Sequence, residues 1–98
     1  MLIVAGSFEF EPADREEFLA QRTPALVATR QEPGCLEYVM SADPADPTRV
    51  MLFERWADQA AFDAHMVVVQ SAERPSGGPA PKGMSIEIYD IAGVRSFG

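Results

Sequence analysis

The chain of 98 residues has a single cysteine, Cys35, and a single histidine, His65. One cysteine cannot form an intrachain disulfide or a cysteine-cluster zinc site, and one histidine leaves few ligands for a transition metal. Basic residues are also scarce, because eight Lys and Arg against 15 Asp and Glu give a net charge of −7. Such a chain repels nucleic acids and anionic membranes, so the charge excludes both as expected partners.

Long apolar runs and nucleotide-binding motifs are missing as well. The apolar run at the N-terminus stops at Ala5 without a basic segment before it, which does not fit a signal peptide. No stretch approaches the ~20 apolar residues of a membrane span, and no glycine-rich phosphate-binding motif occurs. With no internal repeat or linker, the sequence predicts one cytoplasmic domain over residues 1–98.

Four segments have the composition of β-strands. Apolar and polar residues alternate over residues 2–10 and 35–42, and strands are also expected at 49–56 and 84–94. The last strand follows a loop rich in glycine and proline at 73–83. Gly6 interrupts the apolar row of the first strand and leaves room for either close packing or a ligand.

Two helices are predicted between these strands. The first begins at Pro12, has acidic residues in its first turn, is kinked or shortened at Pro24, and stops before the Pro-Gly pair at 33–34. The second begins after Asp58, a suitable N-cap, and runs to about Ser71. One face of it carries four residues at helical spacing. They are Phe62, His65, Met66 and Val69.

The resulting order, β-α-β-β-α-β, predicts an α+β fold of the ferredoxin-like kind. In this fold a four-stranded antiparallel sheet carries both helices on one face. The other face of the sheet has apolar residues such as Met51 and Phe53. An apolar second face in a two-layer fold usually meets another subunit, so we expect a homodimer.

Residues 32–65, EPGCLEYVMSADPADPTRVMLFERWADQAAFDAH, resemble the antibiotic biosynthesis monooxygenase family. The matching elements are the Pro-Gly-Cys at 33–35 with Tyr38 shortly after it, the Asp-Pro loop, the Glu-Arg-Trp at 54–56, and His65. The first strand and the acidic start of the first helix also fit. The resemblance therefore extends over nearly the whole chain.

This resemblance implies a dimeric α+β barrel with a pocket between the helices and the sheet of each subunit. Some members of the family oxidise aromatic polyketides or quinols with O₂, without flavin, haem or metal. We therefore predict a monooxygenase that needs no cofactor and acts on a small aromatic, quinol- or anthrone-like substrate. The fold does not settle the chemistry. The alternatives are a non-oxidative enzyme, such as an isomerase or a detoxifying activity, and a non-catalytic dimeric ligand-binding domain.

His65 is the predicted catalytic base. Cofactor-free oxygenation requires a base that works near neutral pH inside an apolar cavity that excludes water. Histidine is the side chain whose ordinary pKa suits this task. The alternative is a buried core histidine that is satisfied by a backbone carbonyl or by Glu54.

The predicted substrate contacts are Trp56, Phe62, Met66, Gly6 and Tyr38. Trp56 either forms a wall of the pocket and stacks on a flat substrate, or anchors the third strand to the second helix. Tyr38 either donates a hydrogen bond to a substrate carbonyl or serves in packing.

Two further residues have structural predictions. Glu54 shares a strand face with Trp56, and we expect it to form an ion pair with Arg22 or Arg30, the alternative being a place at the rim of the pocket. Cys35 is expected to be a small, buried apolar residue rather than a catalytic thiol.

Haem degradation is not predicted. The haem-degrading branch of the family has an asparagine on the first strand, a tryptophan on the second helix and a histidine further along the chain. In this sequence the corresponding positions are Gly6, His65 and residues 73–76, Glu-Arg-Pro-Ser.

Overall fold

Strands and helices follow one another as strand, helix, strand, strand, helix, strand in the computed structural model, which describes residues 1–71 and 78–98. The elements are β1 (Leu2–Glu9), α1 (Pro12–Thr29), β2 (Cys35–Ala42), β3 (Arg49–Trp56), α2 (Gln59–Ser71) and β4 (Gly83–Asp90). The sheet has the order β2-β3-β1-β4 and every neighbouring pair is antiparallel. The predicted α+β, ferredoxin-like fold is confirmed.

The last strand is shorter than predicted. β4 ends at Asp90 rather than at residue 94, because β1 is its neighbour and the pairing runs out where Leu2 meets Asp90. One further hydrogen bond, from the Ile91 amide to the carbonyl of Met1, closes the ladder. Of the loop predicted at 73–83, residues 73–77 lie outside the described residues, and Gly83 already belongs to β4.

Of the kink or shortening predicted at Pro24, the shortening is wrong. α1 continues through this proline to Thr29. Proline removes one backbone hydrogen bond and usually breaks a helix. Here Leu26 and Thr29 are buried beyond the proline, as Phe18 is before it. Packing on both sides of Pro24 therefore favours a continuous helix.

The buried face of the sheet is the one that carries the helices. β3 alternates strictly along its length, and its four inward side chains are buried. They are Val50, Leu52, Glu54 and Trp56. Leu2 and Val4 are buried on the neighbouring strand β1, and Phe10, just after β1, is buried as well. This confirms the face that the sequence predicts for the third strand.

Two parts of the sheet stay open to solvent. Met84 and Ile88 of β4 are register partners of Phe8 and Val4, so they share the helix-bearing face, yet they are 69% and 53% exposed. On the opposite face Phe53 is 36% exposed. Across residues 1–71 and 78–98, neither helix has the length and apolar character needed to cross a membrane.

Candidate functional site

His65 lies on the inward face of α2 and is 3% exposed. The helix starts where the sequence predicts, because the Asp58 carboxylate accepts a hydrogen bond of 2.8 Å from the amide of Ala61. From that start, helical spacing turns Phe62, His65 and Met66 toward the sheet. The inward position that we predicted for His65 is confirmed.

A tight turn between α1 and β2 brings a carboxylate to this histidine. Pro33 and Gly34 are the central residues of the turn, the Cys35 amide donates to the Glu32 carbonyl over 3.1 Å, and Gly34 has a φ of 80°. These features define a type II turn, in which glycine is favoured at the second central position. The turn directs Glu32 at His65. Their closest atoms, Glu32 Oε1 and His65 Nδ1, are 3.0 Å apart, and Glu32 Oε2 is 3.3 Å from the same nitrogen.

Glu32 is the site residue that the sequence analysis missed. We expected a core histidine to be satisfied by a backbone carbonyl or by Glu54, and the partner is Glu32 instead. The two residues are 33 positions apart in the chain, so no local periodicity connects them. The only signal was that the segment resembling the family begins at Glu32 and ends at His65.

Two aromatic rings hold the imidazole of His65. The Trp56 ring centroid is 4.7 Å away at an interplanar angle of 31°, and the Tyr38 ring meets the imidazole edge-on at 5.3 Å. Trp56 also contacts Phe62 edge-on, with centroids 6.3 Å apart. Trp56 is fully buried between β3 and α2. This arrangement fits the anchoring role for Trp56 better than a pocket wall.

Glu54 does not form the predicted ion pair with Arg22 or Arg30. Its Oε1 accepts a hydrogen bond of 2.9 Å from the indole Nε1 of Trp56. The guanidinium of Arg22 instead lies over the ring of Phe18, and Arg30 Nε donates to a backbone carbonyl of β2. Trp56 is two residues from Glu54 on the same face of β3, so its indole N–H reaches the carboxylate within the strand.

Burial raises the pKa of three titratable side chains in this region. The pKa of Glu54, which is 5% exposed, is raised mainly by loss of solvation, against the lowering effects of the Trp56 hydrogen bond and of His65. Burial also raises the pKa of Tyr38, so its hydroxyl stays protonated and can donate. The pKa of Cys35 is raised by burial and then by Glu32 and Glu54, which favours the neutral thiol.

Gly6 faces the backbone of β4 rather than an open space. A Cβ added at this position would lie 2.7 Å from the Cα of Ile86 and would overlap the carbonyl of Ser85. Of the two roles considered for Gly6, this contact favours close packing of strands over room for a ligand.

Two grooves lie near the buried cluster without reaching its imidazole. One, of about 420 Å³, runs between the turn at 32–34 and two small residues of α2, Ala61 and Ala64. The other, of about 230 Å³, lies over the start of β2 and includes Tyr38. Neither is lined by Phe62 or Met66. These two partly buried side chains belong to the helix face turned toward the sheet.

Metal-ligating side chains are dispersed in the part of the chain that the structure describes. Within it, no three His, Cys, Asp or Glu side chains come together in a way that could hold an ion. Two of the three positions compared with the haem-degrading pattern are described, and they hold Gly6 in β1 and His65 in α2. The third, at 73–76, lies outside the described residues.

Sequence comparison connects the chain to a known family and to one further protein. Residues 1–67 match the family model described as "Antibiotic biosynthesis monooxygenase". The uncharacterized protein sll1783 of Synechocystis is 32% identical over 98 residues, an alignment that covers 98% of this chain and 67% of that protein.

Solved structures share the fold. A Deinococcus radiodurans protein, described as a candidate antibiotic biosynthesis monooxygenase, superimposes with a TM-score of 0.79 and 19% identity over 100% of this chain and 99% of its own. The heme-degrader MhuD of Mycobacterium tuberculosis, solved with two hemes in its active site, gives a TM-score of 0.72 and 15% identity, with coverage of 98% and 100%. At these identities the likeness concerns the fold alone.

Proposed function

Because the chain belongs to the antibiotic biosynthesis monooxygenase family, we propose that it is a cofactor-independent monooxygenase with His65 as its general base. The substrate class is a small aromatic compound of the quinol or anthrone type, which is oxidised by O₂. Family membership supports a general activity of this family's type, and the family includes monooxygenases. The substrate, the base and the absence of a cofactor are the parts that we propose.

The observation that carries this proposal is the setting of His65. Its Nδ1 is taken by Glu32, whereas no hydrogen bond to Nε2 occurs within residues 1–71 and 78–98. The ring lies among aromatic side chains with little access to water. An imidazole held at Nδ1 by a carboxylate is oriented to abstract a proton through Nε2.

The chemistry balances without an added electron carrier. For an anthrone, His65 takes one proton from the activated methylene carbon, and the resulting carbanion transfers electrons to O₂ to form a carbon-bound peroxide. The peroxide then breaks its O–O bond as the second hydrogen leaves the carbon. One oxygen atom becomes the new carbonyl and the other leaves as water with both hydrogens, so the substrate supplies all the electrons.

Apolar side chains on α2 and, separately, on β4 support an aromatic substrate. Phe62 and Met66 are partly buried on the helix face that turns toward the sheet. The helix-bearing face of β4 presents the exposed Met84 and Ile88. We assign substrate contacts to Phe62 and Met66, and we assign Trp56 to holding the base. Apolar side chains of this kind favour a flat, poorly hydrated ligand.

The opposite face of the sheet supports a homodimer. Phe53 and Met51 lie there, away from both helices, with Ile3 and Tyr89 on neighbouring strands. A second copy would remove this apolar surface from water. We propose that two sheets meet through these faces, as in the dimeric barrel that the resemblance implies.

Oxygen uptake with a tricyclic anthrone tests the function. The purified, metal-stripped protein is expected to consume O₂ well above the spontaneous rate, and His65→Ala to lose on the order of 100-fold or more of that rate. Gln70→Ala, a change at an exposed position of the same helix, is the matched control and should keep the activity. Circular dichroism and thermal unfolding verify that each variant is folded.

Three different outcomes would each contradict a part of the proposed function. Equal O₂ uptake by the wild type and by folded His65→Ala would remove His65 as the base. Conversion of the anthrone without O₂ would replace the oxygenase by a non-oxidative enzyme. Binding of the anthrone that stabilises the protein but returns it unchanged would favour the ligand-binding alternative.

A further inference from the structure

We propose that Glu32 is a positioning residue that fixes the tautomer of His65, with the proton on Nδ1 and the lone pair on Nε2. The catalytic relevance of this inference rests on the proposed function. The tautomer itself is a property of the folded protein and can be measured without any substrate.

The contact between the two side chains dictates which nitrogen carries the proton. Both carboxylate oxygens of Glu32 approach Nδ1, at 3.0 and 3.3 Å, and an ionised carboxylate can only accept. A neutral imidazole has one N–H, so a proton that faces Glu32 leaves Nε2 without one. In water the Nε2–H form of histidine predominates. Glu32 would therefore reverse the ordinary preference of the ring.

Glu54 is the other carboxylate near His65, and its contacts rule it out for this role. It accepts from the Trp56 indole through Oε1, and it makes no hydrogen bond to His65 within the described residues. Tyr38, a further polar residue in the described part of the chain, meets the imidazole edge-on with its ring. Nδ1 thus has a single acceptor in the described part of the chain, and that acceptor is Glu32.

The turn and α2 are joined closely enough to hold this geometry. The Glu32 amide donates to the carbonyl of Thr29 over 3.0 Å, which fixes the residue at the end of α1. The Gly34 carbonyl accepts from the amide of Ala57 over 2.9 Å, just before α2. A Cβ at Gly34 would lie 2.5 Å from the Cβ of Ala61, one turn before His65. These contacts tie Glu32 to the helix that carries the imidazole.

For catalysis, the contact with Glu32 determines which nitrogen of His65 acts as the base. With Nδ1–H directed at Glu32, a substrate proton can be accepted at Nε2 only. When Nε2 becomes protonated, the carboxylate of Glu32 faces the positive imidazolium at hydrogen-bond distance and stabilises it. The proton returns to oxygen as water is formed, so Glu32 needs to hold the ring but does not take up the proton.

Nitrogen NMR tests the tautomer directly, because His65 is the only histidine of the chain. In protein labelled with ¹⁵N-histidine at about pH 8, above the ordinary histidine pKa, we expect Nδ1 to give a protonated and Nε2 an unprotonated ring signal. Glu32→Ala should shift the population toward the Nε2–H form. Glu32→Gln, whose amide can accept or donate, should give an intermediate population. Glu16→Ala, at an exposed glutamate of α1, should leave the spectrum unchanged.

Three results would overturn the inference. They are a wild-type ring with the proton on Nε2, a wild-type ring protonated at both nitrogens at this pH, and a tautomer that is unchanged in folded Glu32→Ala. If Glu32→Ala does not fold, the same comparison is made with Glu32→Gln, and a tautomer identical to that of the wild type then counts against the role of Glu32.

Kinetics separate this inference from the proposed function. We expect Glu32→Ala to lower kcat by at least about tenfold with little change in KM, a smaller loss than that of His65→Ala. If the tautomer is as expected but the wild type consumes no O₂, the function is wrong and the assignment of Glu32 stands. If activity requires His65 but Glu32→Ala changes neither kcat nor the tautomer, the function stands and the positioning role is wrong.

Discussion

Glu54 places a carboxylate in the core, where the Trp56 indole donates to it. Loss of solvation dominates its titration, so the pKa of the folded form lies above that of the unfolded chain. A group with a raised acid pKa binds protons more tightly when folded. Its negative charge therefore costs stability above the unfolded pKa, and this cost disappears as the pH falls below that value.

We predict that Glu54→Gln leaves the protein as stable as the wild type, or more stable by up to about 1 kcal/mol, at neutral pH. The amide oxygen can still accept from Trp56, whereas the buried charge is gone. The advantage should shrink as the pH falls toward the ordinary range of a glutamate, because the wild-type carboxyl is then neutral as well. Urea unfolding as a function of pH measures both effects.

Glu54→Ala is the matched control for this prediction. It leaves the buried Trp56 N–H without its acceptor and creates a cavity, so a loss of roughly 2–4 kcal/mol is expected. A comparable loss in Glu54→Gln at neutral pH would contradict the prediction. It would mean that the negative charge of Glu54 stabilises the fold.

The hydrogen-bond partners of His65 and Glu54 are the least predictable feature of this site. The position of His65 on the inward face follows from helical spacing, which depends only on neighbours in sequence. The identity of its partner does not, because Glu32 is delivered by a turn 33 residues away. Similarly, alternation along β3 predicts the face of Glu54, but whether its carboxylate meets an arginine or Trp56 depends on the distance from α1 to β3.

At the level of secondary structure, the turn at 32–35 carries a strong glycine requirement. Gly34 has a φ of 80°, which is unfavourable for residues with a Cβ, and a Cβ there would press on Ala61 of α2. We predict that Gly34→Ala lowers the free energy of unfolding by roughly 1–3 kcal/mol. Because the same turn bears Glu32, the single histidine signal should also shift toward the Nε2–H form.

Gly93→Ala, near the C-terminus, is the matched control. Among residues 1–71 and 78–98, nothing lies within 4 Å of a Cβ added at Gly93. Its effect on urea unfolding should therefore stay within about 0.5 kcal/mol, as for most exposed substitutions. If the two variants unfold at the same urea concentration, the turn is not under the constraint described, and its role in holding Glu32 would be lost with it.

The order and the bounds of the elements were largely predictable, and the two errors share one cause. Periodicity and Asp58 identified α2, and alternation identified β2 and β3. The predicted shortening at Pro24 and the predicted end of β4 are wrong because each depends on a neighbour in space. Burial of Leu26 favours helix beyond the proline, and β4 ends where its partner β1 ends.

For the whole molecule, the sheet has an inner face covered by helices and an outer face left bare. The outer face carries Met51 and Phe53 on β3, at the centre of the four-stranded order. A chain with a net charge of −7 would repel a second copy at long range, so association has to come from apolar contact at short range. The central position of these side chains suits that contact.

We predict that the protein is a dimer in solution and that Phe53→Glu converts it to a monomer. A carboxylate on this face would be buried without a partner, once in each subunit, at a cost that a contact of this kind cannot offset. Light scattering during size-exclusion chromatography should give twice 10.7 kDa for the wild type and 10.7 kDa for Phe53→Glu. The melting temperature of the wild type should rise with protein concentration, and that of Phe53→Glu should not.

Val67→Glu separates this effect from a general response to added charge. Val67 is exposed on α2, on the other side of the sheet from Phe53, and its substitution should leave the dimer intact. A wild-type mass of 10.7 kDa at every concentration would contradict the dimer, and dissociation by Val67→Glu alone would move the interface to the helical layer. Because His65 and Glu32 belong to one chain, a monomeric Phe53→Glu should keep the wild-type histidine tautomer. If it does not, the dimer interface contributes to ordering the site.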